Sequence, residues 1–305
     1  MSGAAQDSTG VRSGDRLADG LFYFLLAAQL LPICLVEVFP TQDGPAHTYH
    51  AVVLWELLSG GGPVADLHQL RAWLTPYCSV HYLLAVTGAV MGPVAADKLM
   101  VSGLALGFCL ALRYLSISIN PLNRWAPLLA FPFALNKYVY LGYYNFTRGL
   151  VLLVLLAGLW QRGFQRWTGR RTAVFMGAAL LLLLTHPVPY LIFLIFICLY
   201  LAGALFRAAA SATGQDLAGR CRTAVKAQRG SMIRAVPPIL VAPWVLLFVE
   251  SGARGAAESG DDVVVRAVGL MGLWEVTPFN DKMFRLAIAL TLAVACGEDA
   301  AATVS

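Results

Sequence analysis

The 305-residue chain is short of charge. Asp, Glu, Lys and Arg make up 13% of it, against about a quarter in a soluble domain. It also lacks the local signatures of several chemistries. No GxxxxGK[ST], HExxH or GxSxG occurs, so ATP-driven pumping, zincin and hydrolase chemistry have no support. The six cysteines, Cys34, Cys78, Cys109, Cys198, Cys221 and Cys296, form no CxxC. They read as small core residues without redox meaning. What is abundant is apolar: 58% hydrophobic residues and a mean hydropathy of +0.68. A water-soluble globule of ordinary make-up, a disordered chain and a nucleic-acid module are all excluded. The net charge of +5 has to be read loop by loop, because Lys and Arg report topology in membrane proteins.

A helix needs about 20 residues to cross a bilayer core. The longest charge-free stretch runs from Thr172 to Phe206 and is broken at His186-Pro187-Val188-Pro189. Prolines remove donors and disfavour helix before them. Two spans follow, 172–186 and 188–206, hinged at Thr185-His186-Pro187. Further spans are predicted at Leu17–Phe39, Ala72–Ala96, Leu99–Leu112, Trp125–Val139, Tyr143–Trp160, Ala235–Val249 and Met283–Cys296. The fold class is all-α: a polytopic transmembrane bundle of eight or nine helices over 17–296, with a cytoplasmic tail 1–16 and a polar tail 297–305. The first span reads as an uncleaved anchor.

Loop 161–171 carries Arg162, Arg166, Arg170 and Arg171 with no acid, and 207–234 carries six cations against Asp216. Both should be cytoplasmic. Loops 40–71 and 250–281 are rich in acid and should be external. Counting every segment between 72 and 160 as a full crossing puts loop 161–171 outside. One of 72–91 and 125–139 therefore fails to cross and is re-entrant.

The residues suited to chemistry fall on the external side. Pro40-Thr41-Gln42-Asp43-Gly44-Pro45-Ala46-His47 follows the first span. Asp43 can cap a helix over 45–58, read as amphipathic and lying in the interface plane. Asp43, His47 and His50 are spaced to share its face, which suits a general base or a divalent-metal ligand. A cap with two interfacial histidines is the structural alternative. Asn136-Lys137-Tyr138-Val139-Tyr140-Leu141-Gly142-Tyr143-Tyr144-Asn145-Phe146-Thr147-Arg148 comes second. Lys137 and Arg148 can bind a phosphate; the alternative is an aromatic belt with two snorkelling cations. Asn145-Phe146-Thr147 is a glycosylation sequon only on paper. His186 at the hinge can serve the carbonyls that Pro187 and Pro189 free. Asp261 and Asp262 read as a solvated acidic loop.

Together the anchor, the acidic motif with its interfacial helix, the Gly-Tyr-Tyr-Asn-Phe…Arg-Gly-Leu entry to a Leu-rich span and the Thr-His-Pro hinge resemble the GT-C superfamily of polytopic glycosyltransferases. The likeness covers roughly 17–206 and is to bacterial integral membrane proteins related to mannosyl- and arabinosyltransferases. It implies transfer of a sugar from a polyprenyl-phosphate donor at the external face of the bacterial cytoplasmic membrane. Asp43 matches the family's base or metal-linked acid, with His47 beside it and a divalent cation (Mg or Mn) as a candidate cofactor. Arg148 or Lys137 would hold the donor phosphate, and His50, Tyr144, Asn145 and His186 would line the pocket. The partners implied are the lipid bilayer and the lipid-linked donor, with no nucleic acid. A transporter or lipid-handling protein without bond chemistry is the alternative, as is a truncated, inactive relative.

Overall fold

The computed structural model of the chain describes residues 8–70, 76–163, 168–212 and 216–258, and these are all-α. Helix α1 spans Ser8–Ala28, α2 Leu31–Cys34, α3 Gly44–Ser59, α4 Cys78–Met91 and α5 Pro93–Ile119. Then come α6 (Phe131–Ala134), α7 (Lys137–Tyr140), α8 (Tyr144–Gly163), α9 (Gly169–Thr185), α10 (Pro187–Ser211) and α11 (Leu217–Glu258). Among the described residues three stretches are long and apolar enough to cross a membrane: Gly14–Cys34, Pro93–Ile119 and Pro187–Ser211. Met283–Cys296, Asp261, Asp262 and Cys296 lie outside the described residues.

Local chemistry sets the boundaries. Helix α3 stops at Gly60, at φ 94°. Helix α4 stops at Gly92, at φ 87°, and α5 opens on Pro93, the favoured residue for a first helical turn. Pro187 opens α10 directly after His186, so the hinge lies where the two prolines put it. Four readings change. Helix α5 runs through Asp97, Lys98 and Arg113, where charge suggested ends at 99 and 112. Each of these charges has a partner: the Tyr144 hydroxyl for Asp97, the Cys34 and Val36 carbonyls for Lys98, and Asp19 for Arg113. The stretch 207–234 is helical from Leu217 onward, as the start of α11. On α3 the apolar residues are not confined to one face: Ala51, Val53 and Leu54 are buried while Tyr49, Val52, Trp55 and Leu58 are exposed. Among the described cysteines Cys109 alone is buried in the core, Cys78 is half-buried, and Cys34, Cys198 and Cys221 are exposed.

Helices α5 and α8 form the central seam. A Cβ on Gly107 would meet Val151, and one on Gly158 would meet Tyr114. Seven residues on along both chains the helices are still in contact, so they run in the same direction. The small residues let their backbones approach closely. Two helices that run in parallel need a return segment between them, and 120–143 supplies it. Arg124 sits 3.8 Å from Asp19, Phe131 packs on Phe22, and Tyr140 meets the turn at Gln42. This segment, broken by Pro127 and Pro132, travels the length of the bundle.

Helix α4 does not. His81 near its start and Asp97, just after its end, both join the cluster around His47 and Tyr144. Of the two segments expected to compete for a re-entrant role, it is the described part of 72–91, from Pro76 onward, that begins and is followed by residues at the same end of the bundle. The bundle thus has a histidine end, and an arginine end where Arg113 binds Asp19 at 2.8 Å and Arg162 lies over Tyr114. From Asp97 to Arg113 along α5 is about 24 Å at 1.5 Å per residue.

Candidate functional site

The acidic turn is built on a backbone pairing between distant motifs. Gln42 N–H donates to the Tyr140 carbonyl at 2.9 Å and Asp43 N–H to that of Leu141 at 3.1 Å. Gly142 closes the pair at φ 78°, and a Cβ there would lie 2.7 Å from Gly44 N and 2.8 Å from Asp43 N. Glycine meets both demands, a left-handed backbone and no side chain. The Asn136 side chain caps α7 by accepting from Tyr138 and Val139 N–H, which fixes the segment carrying those carbonyls. Asp43 holds the N-cap position of α3, but its backbone is helical and its carboxylate makes no capping bond. The expected cap role is therefore not used, and Pro45 and the backbone pairing support the helix start instead. The carboxylate's charge acts on the His47 imidazole one turn further along α3.

His47 Nδ1 and His81 Nε2 lie 3.0 Å apart, and His81 Nδ1 lies 3.1 Å from the Tyr77 carbonyl. The partners assign the tautomers. Nδ1–H of His81 donates to Tyr77, so a neutral His81 offers its Nε2 lone pair to Nδ1–H of His47. Burial lowers the His47 pKa to about 4, aided by the neighbouring His81. The Asp43 carboxylate opposes this, His50 adds to it, and the Gly142 carbonyl opposes it weakly. His47 is neutral at pH 7. His50 approaches His81 with ring centroids 5.8 Å apart. Tyr77 has φ 71° and is the one non-glycine with positive φ among the described residues, a strained conformation of the kind that gathers at functional sites.

Tyr144 stacks on His47 with centroids 5.4 Å apart. It is 0% exposed, and its hydroxyl donates to Asp97 at 2.7 Å and lies 3.2 Å from Thr41 Oγ1. Asp97 is 7% exposed, and the Thr48 hydroxyl donates to the Gly44 carbonyl at 2.9 Å. The polar chain Thr41–Tyr144–Asp97 thus ties the turn, α5 and α8 together, and the Tyr144–His47 stack adds α3. A belt position at the surface was an alternative for this tyrosine; it is instead the side chain at the centre.

Arg148 sits one turn further along α8. Its Nη1 donates to the Ser79 carbonyl at 3.1 Å. Ser79 Oγ pairs with Thr185 Oγ1 at 2.8 Å. Among the described residues no carboxylate comes within ion-pair distance of Arg148. Arg148 lines a cavity of 290 Å³ whose walls are Leu83, Thr87, Leu99, Met100, Leu104, Val151 and neighbours from α4, α5 and α8. His186 caps α10 by accepting from Val188 N–H, so it serves a donor rather than the carbonyls freed by the prolines. Its ring meets Tyr77 at 4.7 Å and Phe146 at 5.3 Å.

No family model, curated protein or solved structure matches this chain.

The motifs read from sequence are thus brought to one end of the bundle. Asp43, His47, His50 and Tyr144 form one group; Arg148, His186 and Phe146 form a second; Tyr77 and His81 link them. Lys137 opens α7, which carries the carbonyls paired to the acidic turn. Asn145 is 6% exposed in the first turn of α8 and its Oδ1 has no partner among the described residues; buried there, it is no acceptor for a glycan. No group of three or more His, Cys, Asp or Glu among the described residues is arranged to hold a metal ion. Magnesium is often bound by one or two carboxylates together with a substrate's phosphates, so a divalent ion here would arrive with the substrate. Sequence reading missed His81 and Asp97. The signal for both was an ionisable group inside an apolar stretch, which is a functional-site mark by default.

Proposed function

We propose that the chain is an integral membrane glycosyltransferase that takes a sugar from a polyprenyl-phosphate donor at the histidine end of the bundle. That end faces outward from a bacterial cytoplasmic membrane, with the loops rich in arginine inside. The direction of the helices agrees with the charge rule. The anchor crosses outward, α3 and α4 stay at the outer face, and α5, 120–143, α8, α9 and α10 cross in turn. This sequence returns loops 161–171 and 207–234 to the cytoplasm. The carrying observation is Arg148: a half-buried cation with no acid within ion-pair distance among the described residues, in the wall of a mostly apolar cavity. A buried charge wants a partner, and an anionic head on an apolar tail supplies both halves of what this cavity offers.

The chemistry needs one base and one cation. The acceptor hydroxyl gives its proton to the Asp43 carboxylate, oriented beside neutral His47. The acceptor oxygen bonds to the anomeric carbon opposite the phosphate, and configuration inverts. The carbon–oxygen bond to phosphate breaks, and its electron pair leaves on the polyprenyl phosphate, whose charge faces Arg148. Ser79 and Thr185 hold the guanidinium in place.

The test uses the full chain in detergent, with a polyprenyl monophosphate and the matching polyprenol as ligands. The phosphate should bind more tightly, and Arg148→Gln should erase the preference, a loss of roughly 1.5–3 kcal/mol for a charged hydrogen bond. Asp43→Asn should keep lipid binding and lower transfer from polyprenyl-phosphate hexose or pentose by about 10²–10⁴. Equal binding of phosphate and alcohol would sink the reading. Tight phosphate binding with no transfer from any such sugar donor would favour lipid handling without bond chemistry.

A further inference from the structure

At the arginine end, α5, α8 and α9 leave a second cavity between them, of 750 Å³. It is lined by Arg162, Thr168, Arg170 and Arg171 together with Tyr114, Leu159, Val174 and Phe175. None of the lining residues is an acid, and loop 161–171 contains none. Among the described residues no carboxylate is within ion-pair distance of Arg162 or Arg170. Thr168 caps α9 by accepting from Arg171 N–H, so the first turn of a 17-residue helix points its partial positive charge the same way. Arg162 is held over the Tyr114 ring, with 5.1 Å from its guanidinium carbon to the ring centroid. Tyr114 follows Asp97 by seventeen residues on α5, about 25 Å along the axis, so this cavity is separate from the candidate active site.

We propose that this cavity is a binding site for the phosphate head of an anionic phospholipid. Three guanidinium groups and a helix start would take the phosphate, and the apolar wall of Leu159, Val174 and Phe175 would take the first part of an acyl chain. Scattered basic residues at a membrane surface attract anionic lipid without choosing a place. A cavity lined by both arginines and apolar side chains offers a headgroup and the start of its tail one shared position. Basic pockets between membrane helices on the cytoplasmic side bind phosphate heads for this reason. The proposal does not depend on the transferase reading, because it concerns the other end of the molecule.

Native mass spectrometry of the full chain in neutral detergent, titrated with phosphatidylglycerol, tests it. Phosphatidylcholine is the zwitterionic comparison and inorganic phosphate the competitor. The triple variant R162Q/R170Q/R171Q should weaken the phosphatidylglycerol adduct on the order of a hundredfold, from roughly fivefold per arginine. R170Q alone, an exposed position, should weaken it about fivefold and guards against misfolding of the triple variant. A control of equal charge loss, R207Q/R222Q/R229Q, should leave the affinity unchanged. Three results would overturn the proposal: a control loss as large as the triple variant's, equal binding of phosphatidylcholine, or an R170Q affinity equal to the parent's. Displacement by inorganic phosphate at the lipid's own concentration would make the ligand a free ion, and would overturn it as well.

Discussion

Replacing Gly142 by alanine should damage the protein far more than one methyl group suggests. The new Cβ would stand 2.7 Å from Gly44 N, 2.8 Å from Asp43 N and 3.0 Å from Asp43 C. All three are backbone atoms, so no side chain can swing away. The backbone at φ 78° adds about 1–2 kcal/mol for a residue bearing a Cβ. Overpacking adds about 1–3 kcal/mol, so the total is on the order of 2–5 kcal/mol. The chain can relieve the clash only by parting the bonds from Gln42 and Asp43 to Tyr140 and Leu141, which moves the Asp43 carboxylate away from His47. Thermal melts of the full chain in detergent should show an apparent midpoint lower by roughly 4–10 °C, with loss of the function assigned to Asp43. Gly177→Ala is the matched control. Gly177 lies within α9 with nothing within 4 Å of its added Cβ, and there alanine should stabilise by up to about 1 kcal/mol. A Gly142→Ala protein that melts with the parent would refute the argument that the two motifs are joined through this glycine.

Two further outcomes are expected. His47 binds its proton near pH 6.5 when unfolded and near 4 when folded. Between these values the unfolded state holds the extra proton, so stability falls as pH drops through 6.5 and levels off below 4. The slope approaches about 1.4 kcal/mol per pH unit, reduced by water reaching the partly exposed ring. Urea titrations from pH 7 to pH 4 should show this decline flattened in His47→Gln, and an identical decline in the variant would assign it elsewhere. Tyr144→Phe should cost about 1–3 kcal/mol because it removes the donor that serves Asp97 and the hydroxyl beside Thr41. Asp97→Asn keeps an acceptor for Tyr144 and should cost less in the same melts; the reverse order would contradict the network.

What the sequence disclosed depended on how far away the deciding partner lay. The break at Thr185-His186-Pro187 was legible because proline acts on its own neighbours. The start of α3 was legible for the same reason, through Gly44-Pro45. Asp97, Lys98 and Arg113 were misread as helix ends because what neutralises or bonds each of them is far off in sequence: Tyr144, the Cys34 and Val36 carbonyls, and Asp19. Hydropathy reports how apolar a segment is but not which way it runs. It could not tell α4, which turns back, from 120–143, which continues. The convergence of Asp43 with the Gly142 segment, and of Arg148 with Ser79 and Thr185, came from tertiary packing that no local pattern encodes. His81 was hidden because a single histidine inside an apolar stretch carries no local pattern that ties it to His47, 34 residues away.

The pairing of Gln42 with Tyr140 also has a consequence in time. Residue 140 leaves the ribosome 98 residues after residue 42, roughly 5–20 s later at about 5–20 residues per second. Throughout that interval the acidic turn has no backbone partner, and Tyr144, its hydroxyl neighbour, has yet to be synthesised. The order of translation thus delays assembly of the reactive end until α8 begins to emerge. A ribosome stalled before that point would leave an anchored but unassembled precursor.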